Sequence, residues 1–221
     1  MSSFKDNGYA VVRNVLTNQT AKFLEKYFLL KRKVYDTLQS ANYLPPNETI
    51  HGYYQDGQCK EDVFCIYGDP AFDNLFDIVL PVLERETGLN LLPTYTYGRI
   101  YRKGSVLTRH KDRPSCEISA TMNLGGPSWP IYLDVDKTSG YFDKNDNYYA
   151  GNNKGIEINL NPGDLMIYRG CDFEHWREEI NEDDTCQIFI HFIDATKENV
   201  DFKNVFDSRP HLGLNNWFSK K

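Results

Sequence analysis

The chain has 221 residues, with 25 Lys+Arg against 31 Asp+Glu for a formal charge of −6, and it carries 15 Tyr, 13 Phe and 3 Trp. That aromatic load excludes a disordered chain, which cannot keep so much apolar surface solvated. The acidic balance argues against a general nucleic-acid partner, which needs a basic face. No apolar run approaches the roughly 18 residues of a membrane span. The opening Met-Ser-Ser-Phe-Lys-Asp has neither the basic flank nor the apolar core of a secretory signal, so a cytoplasmic protein without membrane partners is expected. Five scattered cysteines without a C-x-x-C read as free thiols rather than a disulfide framework or zinc knuckle.

In chain order, residues 8–16 are β-branched and read as a strand. Thr17 or Asn18 caps a helix with Phe23, Leu24, Tyr27 and Phe28 on its apolar stripe. Leu44-Pro-Pro-Asn47 is loop, followed by a polar, aromatic segment around His51 to Tyr54. A second helix starts at Asp69-Pro70 and runs towards Thr87-Gly88, presenting Phe72, Leu75, Phe76, Val79 and Leu83, with Pro81 expected to kink or shorten it.

From residue 94 the apolar period changes to two. Strands are expected over 94–102, 116–124, 131–135, 156–160, 164–168 and 185–192, separated by Lys103-Gly104, Gly125-Gly-Pro127 and Asn161-Pro-Gly-Asp164. Residues 136–155 form a polar hairpin connection. Its Asp143-x-Asn145-x-Asn147 is no calcium loop, because Tyr148 stands at the glycine position and Lys154 at the closing glutamate. The pattern is a single mainly β domain with flanking helices (α+β), a helical cap on a sandwich or small barrel. Residues 1–93 would be a helical support region, 94–195 the β core and 196–221 a C-terminal extension.

His110-Lys-Asp112 places an imidazole and a carboxylate at i and i+2, on the same side of an extended chain. His175 follows a tight turn and strand that antiparallel topology can bring alongside. Two imidazoles and one carboxylate with open positions suit a divalent metal. Tyr97-Gly-Arg-Ile-Tyr-Arg-Lys-Gly-Ser-Val-Leu-Thr-Arg-His110-Lys-Asp112, then Pro162-Gly-Asp-Leu-Met-Ile-Tyr168, then His175-Trp-Arg177 together resemble the Fe(II)- and 2-oxoglutarate-dependent oxygenases, most closely their prolyl-hydroxylase-like branch. The resemblance covers residues 94–195 and implies a double-stranded β-helix (jelly-roll or cupin-like).

It also implies iron on His110, Asp112 and His175, with 2-oxoglutarate and O2 as cosubstrates, and Tyr101 as a hydrogen-bond partner of 2-oxoglutarate. The implied reaction hydroxylates a C–H bond of a protein or peptide side chain, or of a small molecule, and releases succinate and CO2. The retained carboxylate Asp112 points to hydroxylation rather than halogenation. The family's base about ten residues after the distal histidine is missing from Asn181–Cys186, and Arg177, whose planar fork suits a carboxylate, is the substitute.

Residues 97–115 hold six bases against one acid, a local positive field for an anion or a solvated edge strand. Ser119, Thr121 and Asn123 share one strand face. If it is interior, Asn123 can bond the cosubstrate and Thr121 line the pocket; a one-residue slip would put Ile118, Ala120, Met122 and Leu124 there instead. His191 is expected to support the site by a hydrogen bond or by packing rather than as a third histidine ligand, while His51 and His211 read as loop residues. Two other readings stay open: a non-enzymatic cupin-like metal-binding barrel, and a metal hydrolase or isomerase on the same barrel.

Overall fold

The computed structural model describes residues 4–54, 56–59, 63–145, 147–182 and 184–214. One helical turn, α1 (Phe4–Asn7), leads into β1 (Tyr9–Val12), which is shorter than the β-branched run because Asn14 turns the chain with a positive φ of 54°. The Thr17 hydroxyl accepts the Thr20 N–H at 3.1 Å and caps α2 (Asn18–Ser40). Its buried stripe is Ala21, Leu24, Glu25 and Phe28, so Phe23, expected on the apolar face, lies outside at 68% exposure.

Next come β2 (Phe64–Tyr67), which the sequence reading missed, and then α3 (Pro70–Asp73) and α4 (Phe76–Thr87). Asp69 caps α3 by accepting the Ala71 N–H at 2.9 Å. Pro81 neither ends nor shortens α4. The carbonyl deprived of its donor belongs to exposed Asp77, open to solvent, while Val79, Leu83 and Thr87 anchor the helix in the core.

The remaining strands are β3 (Leu91–Tyr101), β4 (Leu107–His110), β5 (Ile118–Gly125), β6 (Ile131–Asp134), the hairpin β7 (Tyr141–Phe142) and β8 (Tyr148–Tyr149), β9 (Ile156–Ile158), β10 (Leu165–Tyr168), β11 (Glu174–Arg177) and β12 (Thr185–Asp194). A six-stranded sheet in the order β1-β10-β5-β12-β3-β2 faces a four-stranded one in the order β4-β11-β6-β9, and every pairing is antiparallel. Both edge strands of the large sheet, β1 and β2, come from before residue 94.

The inner strands β5, β10 and β12 are buried at every position, and β3 at all but Leu92, Pro93 and Tyr97. Ile118, Ala120, Met122 and Leu124 join Ile188, Ile190 and Phe28 in the main core beneath the helices. Gly98 admits that contact: a Cβ there would lie 2.8 Å from the Phe28 ring. Ser119, Thr121 and Asn123 therefore face the space between the sheets, the interior register of the two weighed above. Antiparallel pairing sets them in rows with β12 neighbours: Ser119 opposite His191, Thr121 opposite Phe189, and Asn123 opposite Gln187, which pairs on to Arg99 of β3. In the facing sheet, His110 pairs with His175 and Leu107 with Arg177.

Candidate metal and cosubstrate site

The His110–His175 pair is a direct cross-strand neighbour pair, which fixes two imidazoles side by side with ring centroids 4.2 Å apart. Asp112 reaches them because its own N–H is held by the Gly170 carbonyl at 2.9 Å. Glycine is required at 170: a Cβ there would fall 2.4 Å from Asp112 Oδ2. Asp112 Oδ1 lies 3.6 Å from His110 Nε2 and 3.5 Å from His175 Nε2. The Nδ1 atoms contact the carbonyls of Thr108 (2.7 Å) and Phe173 (3.2 Å), an arrangement that protonates Nδ1 and aims the Nε2 lone pairs at one point. Burial, then the neighbouring His175, pushes the His110 pKa down. Burial opposes the charge of Asp112, but His175 and His110 outweigh it and hold its carboxyl well below the usual range. Oδ2 accepts the Ser119 hydroxyl at 2.7 Å. One carboxylate and converging imidazole nitrogens fit a borderline divalent ion such as Fe(II).

The three side chains line a cavity of about 680 Å³ whose wall includes Tyr95, Tyr97, Arg99, Tyr168, Phe189 and His191. Arg177 is 1% exposed. It donates to the Trp129 carbonyl and to Gln187 Oε1 (3.1 Å) and lies over the Trp129 ring, while its Nε has no partner. No carboxylate among the described residues pairs with it, and burial lowers its pKa to about 10, which leaves it charged at neutral pH. The guanidinium lines a second cavity, with Leu107, Trp176 and Glu178, rather than the one lined by the three ligand residues. The Thr121 and Tyr168 hydroxyls are also buried without partners between the sheets. Arg177 stands two residues along β11 from His175, about 7 Å at a rise of about 3.3 Å per residue, a span a five-carbon dicarboxylate can bridge.

The other expected residues take distinct places. Tyr101 is fully buried against Trp129 and accepts from Arg99 at 3.3 Å. Asn123 donates to the Leu160 carbonyl and accepts from Gly125 N–H and, at 3.4 Å, from Gln187; it reaches Arg177 through that glutamine. His191 Nδ1 sits 2.9 Å from the Ser119 hydroxyl. His51 and His211 are exposed, away from the cavity.

Sequence reasoning missed several residues. Arg99 enters the cavity with Asp56 at 2.6 Å and Gln58 Oε1 at 2.6 Å. Arg109 does not form a free basic edge: it pairs with Glu174 (2.7 Å) and Asp134 (2.6 Å) over the Trp176 ring. Asp207, from the expected extension, binds Tyr67, Ser115 and Arg113 at the cavity mouth. Acid and base lie 25 to 94 positions apart in these pairs, so no local pattern in the sequence signals them.

No family model matches the chain, and no curated protein does. Solved structures share its fold. The non-heme alpha-ketoglutarate-dependent epimerase SnoN of nogalamycin biosynthesis is 12% identical with a TM-score of 0.63, over 96% of this chain and 89% of that one. HygX from Streptomyces hygroscopicus, solved with nickel and 2-oxoglutarate bound, is 13% identical with a TM-score of 0.55, over 87% and 85%. A Pseudomonas putida prolyl-4-hydroxylase is 14% identical with a TM-score of 0.50, over 85% and 94%. The fold is that of the Fe(II)/2-oxoglutarate oxygenases, a double-stranded β-helix with helices packed on its larger sheet.

Proposed function

We propose that this chain is an Fe(II)- and 2-oxoglutarate-dependent dioxygenase that hydroxylates a C–H bond of a peptide side chain or small molecule. The observation that carries the reading is the convergence of His110 Nε2, His175 Nε2 and Asp112 Oδ1 on one point of a cavity wall. Bound iron and 2-oxoglutarate would supply, with O2, the oxidative decarboxylation that releases succinate and CO2 and places one oxygen atom in the substrate. The chain's own groups hold and orient. His110, Asp112 and His175 would hold the iron. Arg177, fixed by Trp129 and Gln187, would receive the far carboxylate, and Gln187 is in turn fixed by Asn123. Ser119 keeps Asp112 turned so that a single oxygen faces the imidazoles.

A metal hydrolase or isomerase would need a general base beside the metal, and the candidate lining the cavity, His191, is made a weak base by burial, its pKa lowered to about 4. Fold neighbours that are epimerases leave the outcome at the substrate carbon to experiment. Incubation with Fe(II), 2-oxoglutarate and O2 is expected to yield succinate from the wild type and at least about 100-fold less from Asp112→Ala, a first ligand being worth no less than its supporting partners. Equal succinate from both proteins would overturn the assignment.

A further inference from the structure

Asp112 belongs to two ligand clusters. Besides its place between His110 and His175, it forms with Cys116 and His191 a group whose ligating atoms all lie within 4.8 Å of one another. Three different elements converge there: the segment after β4 carries Asp112, the 3-10 turn Pro114–Cys116 carries the thiol, and β12 carries the imidazole. Cys116 and His191 are buried to 1% and 5% exposure, and both line the cavity. The Asp112 carboxylate divides its oxygens. Oδ1 faces the two triad imidazoles, whereas Oδ2 is held by Ser119 (2.7 Å), whose hydroxyl also meets His191 Nδ1 at 2.9 Å. The thiol faces the Tyr95 hydroxyl at 3.2 Å.

We propose that Asp112, Cys116 and His191 form a second metal site, for a thiophilic divalent ion such as Zn2+, with the Asp112 carboxylate bridging it to the triad. A sulfur, an imidazole nitrogen and a carboxylate oxygen make a donor set softer than two imidazoles and a carboxylate, so the two sites differ in metal preference. A bridging carboxylate is the usual link in two-metal centres, with ions roughly 3.5–4 Å apart. On binding, the Cys116 S–H bond breaks, the thiolate keeps the electron pair and donates it to the ion, and the proton leaves to solvent. No redox step is involved. Ser119 would give up Oδ2 to the ion.

Cd2+ is the probe, because its thiolate complexes absorb in the near ultraviolet and its nuclear resonance reports sulfur ligation. Metal-free wild type, titrated without O2, is expected to take two Cd2+ per chain and develop the thiolate band. Cys116→Ser should take one ion and lose the band, and His110→Ala should keep it. A wild type that takes one ion without thiolate absorption, or a band that survives Cys116→Ser, overturns the site. If Cys116→Ser does not fold, His191→Ala decides: a lost or displaced sulfur-ligated cadmium resonance supports the site, and an unchanged one overturns it. None of these readings depends on oxygenase activity.

Discussion

At the residue scale, Arg177 is the least ordinary side chain of the molecule. Its charge is enclosed, its Nε is unpartnered, and the groups that touch it are a carbonyl and an amide oxygen rather than a carboxylate. Exchanging a buried charge for a well-packed apolar group is often neutral or stabilising. Arg177→Met is therefore expected to leave the ligand-free protein as stable as the wild type or more stable by about 1 kcal/mol, measured by denaturant unfolding. Destabilisation by more than about 2 kcal/mol would mean that the guanidinium holds the fold rather than a ligand. The sequence named this residue, since a base two positions from a strand histidine shares its face. It could not show Arg99, whose guanidinium is satisfied by Asp56, 43 positions away.

At the element scale, two buried acids fasten the pieces that frame the site. Asp164 accepts the Asn14 N–H (2.9 Å), the Asn161 N–H (2.9 Å) and Arg13 (2.7 Å), joining the turn before β10 to the end of β1. Burial works against its charge, but these donors prevail and lower its pKa from the ordinary 3.8. A depressed acid stabilises the fold above its unfolded value, and the contribution disappears as pH falls through the folded one. Asp164→Asn should thus destabilise by about 1–2 kcal/mol at pH 7, with the gap to wild type closing below 3.8. An equal gap at both pH values would contradict the charge-based account.

Glu174, beside His175, accepts from Arg109, Ser139, Tyr148 and Gly151 and pins the β7–β8 hairpin to β11. Glu174→Gln removes the ion pair with Arg109 and should cost about 3 kcal/mol, with faster proteolysis around residues 141–151 as the direct readout. Unchanged cleavage would show that the hairpin is held elsewhere. Strand positions were legible from their period of two, and the caps from Thr17 and Asp69. β2, buried at all four positions, and β7, two exposed residues, show no alternation and were not.

At the scale of the whole molecule, the two sheets divide the labour. The larger one buries apolar side chains under α2 and α4 on one face and turns hydroxyls, amides and aromatic rings towards the smaller sheet on the other. The smaller one contributes the histidine pair and Arg177. The motif His110-x-Asp112…His175 was readable because an i, i+2 spacing puts both side chains on one side of an extended chain, and Asp112 lies just beyond β4, which ends at His110. The clamp network and the mouth around Asp207 were not, because they depend on which strands become neighbours and where the C-terminal segment docks.

The central claim is that the iron triad and the Arg177 guanidinium serve one cosubstrate. Its most direct test is anaerobic titration of the Fe(II)-loaded protein with 2-oxoglutarate, following the weak visible metal-to-ligand charge-transfer band. The account predicts a saturable band in the wild type, no band in His175→Ala, and for Arg177→Met a 2-oxoglutarate affinity at least about tenfold weaker, the loss of about 1.4 kcal/mol from a charge-assisted contact. Iron that binds without developing the band, or an Arg177→Met protein that titrates like the wild type, would contradict it.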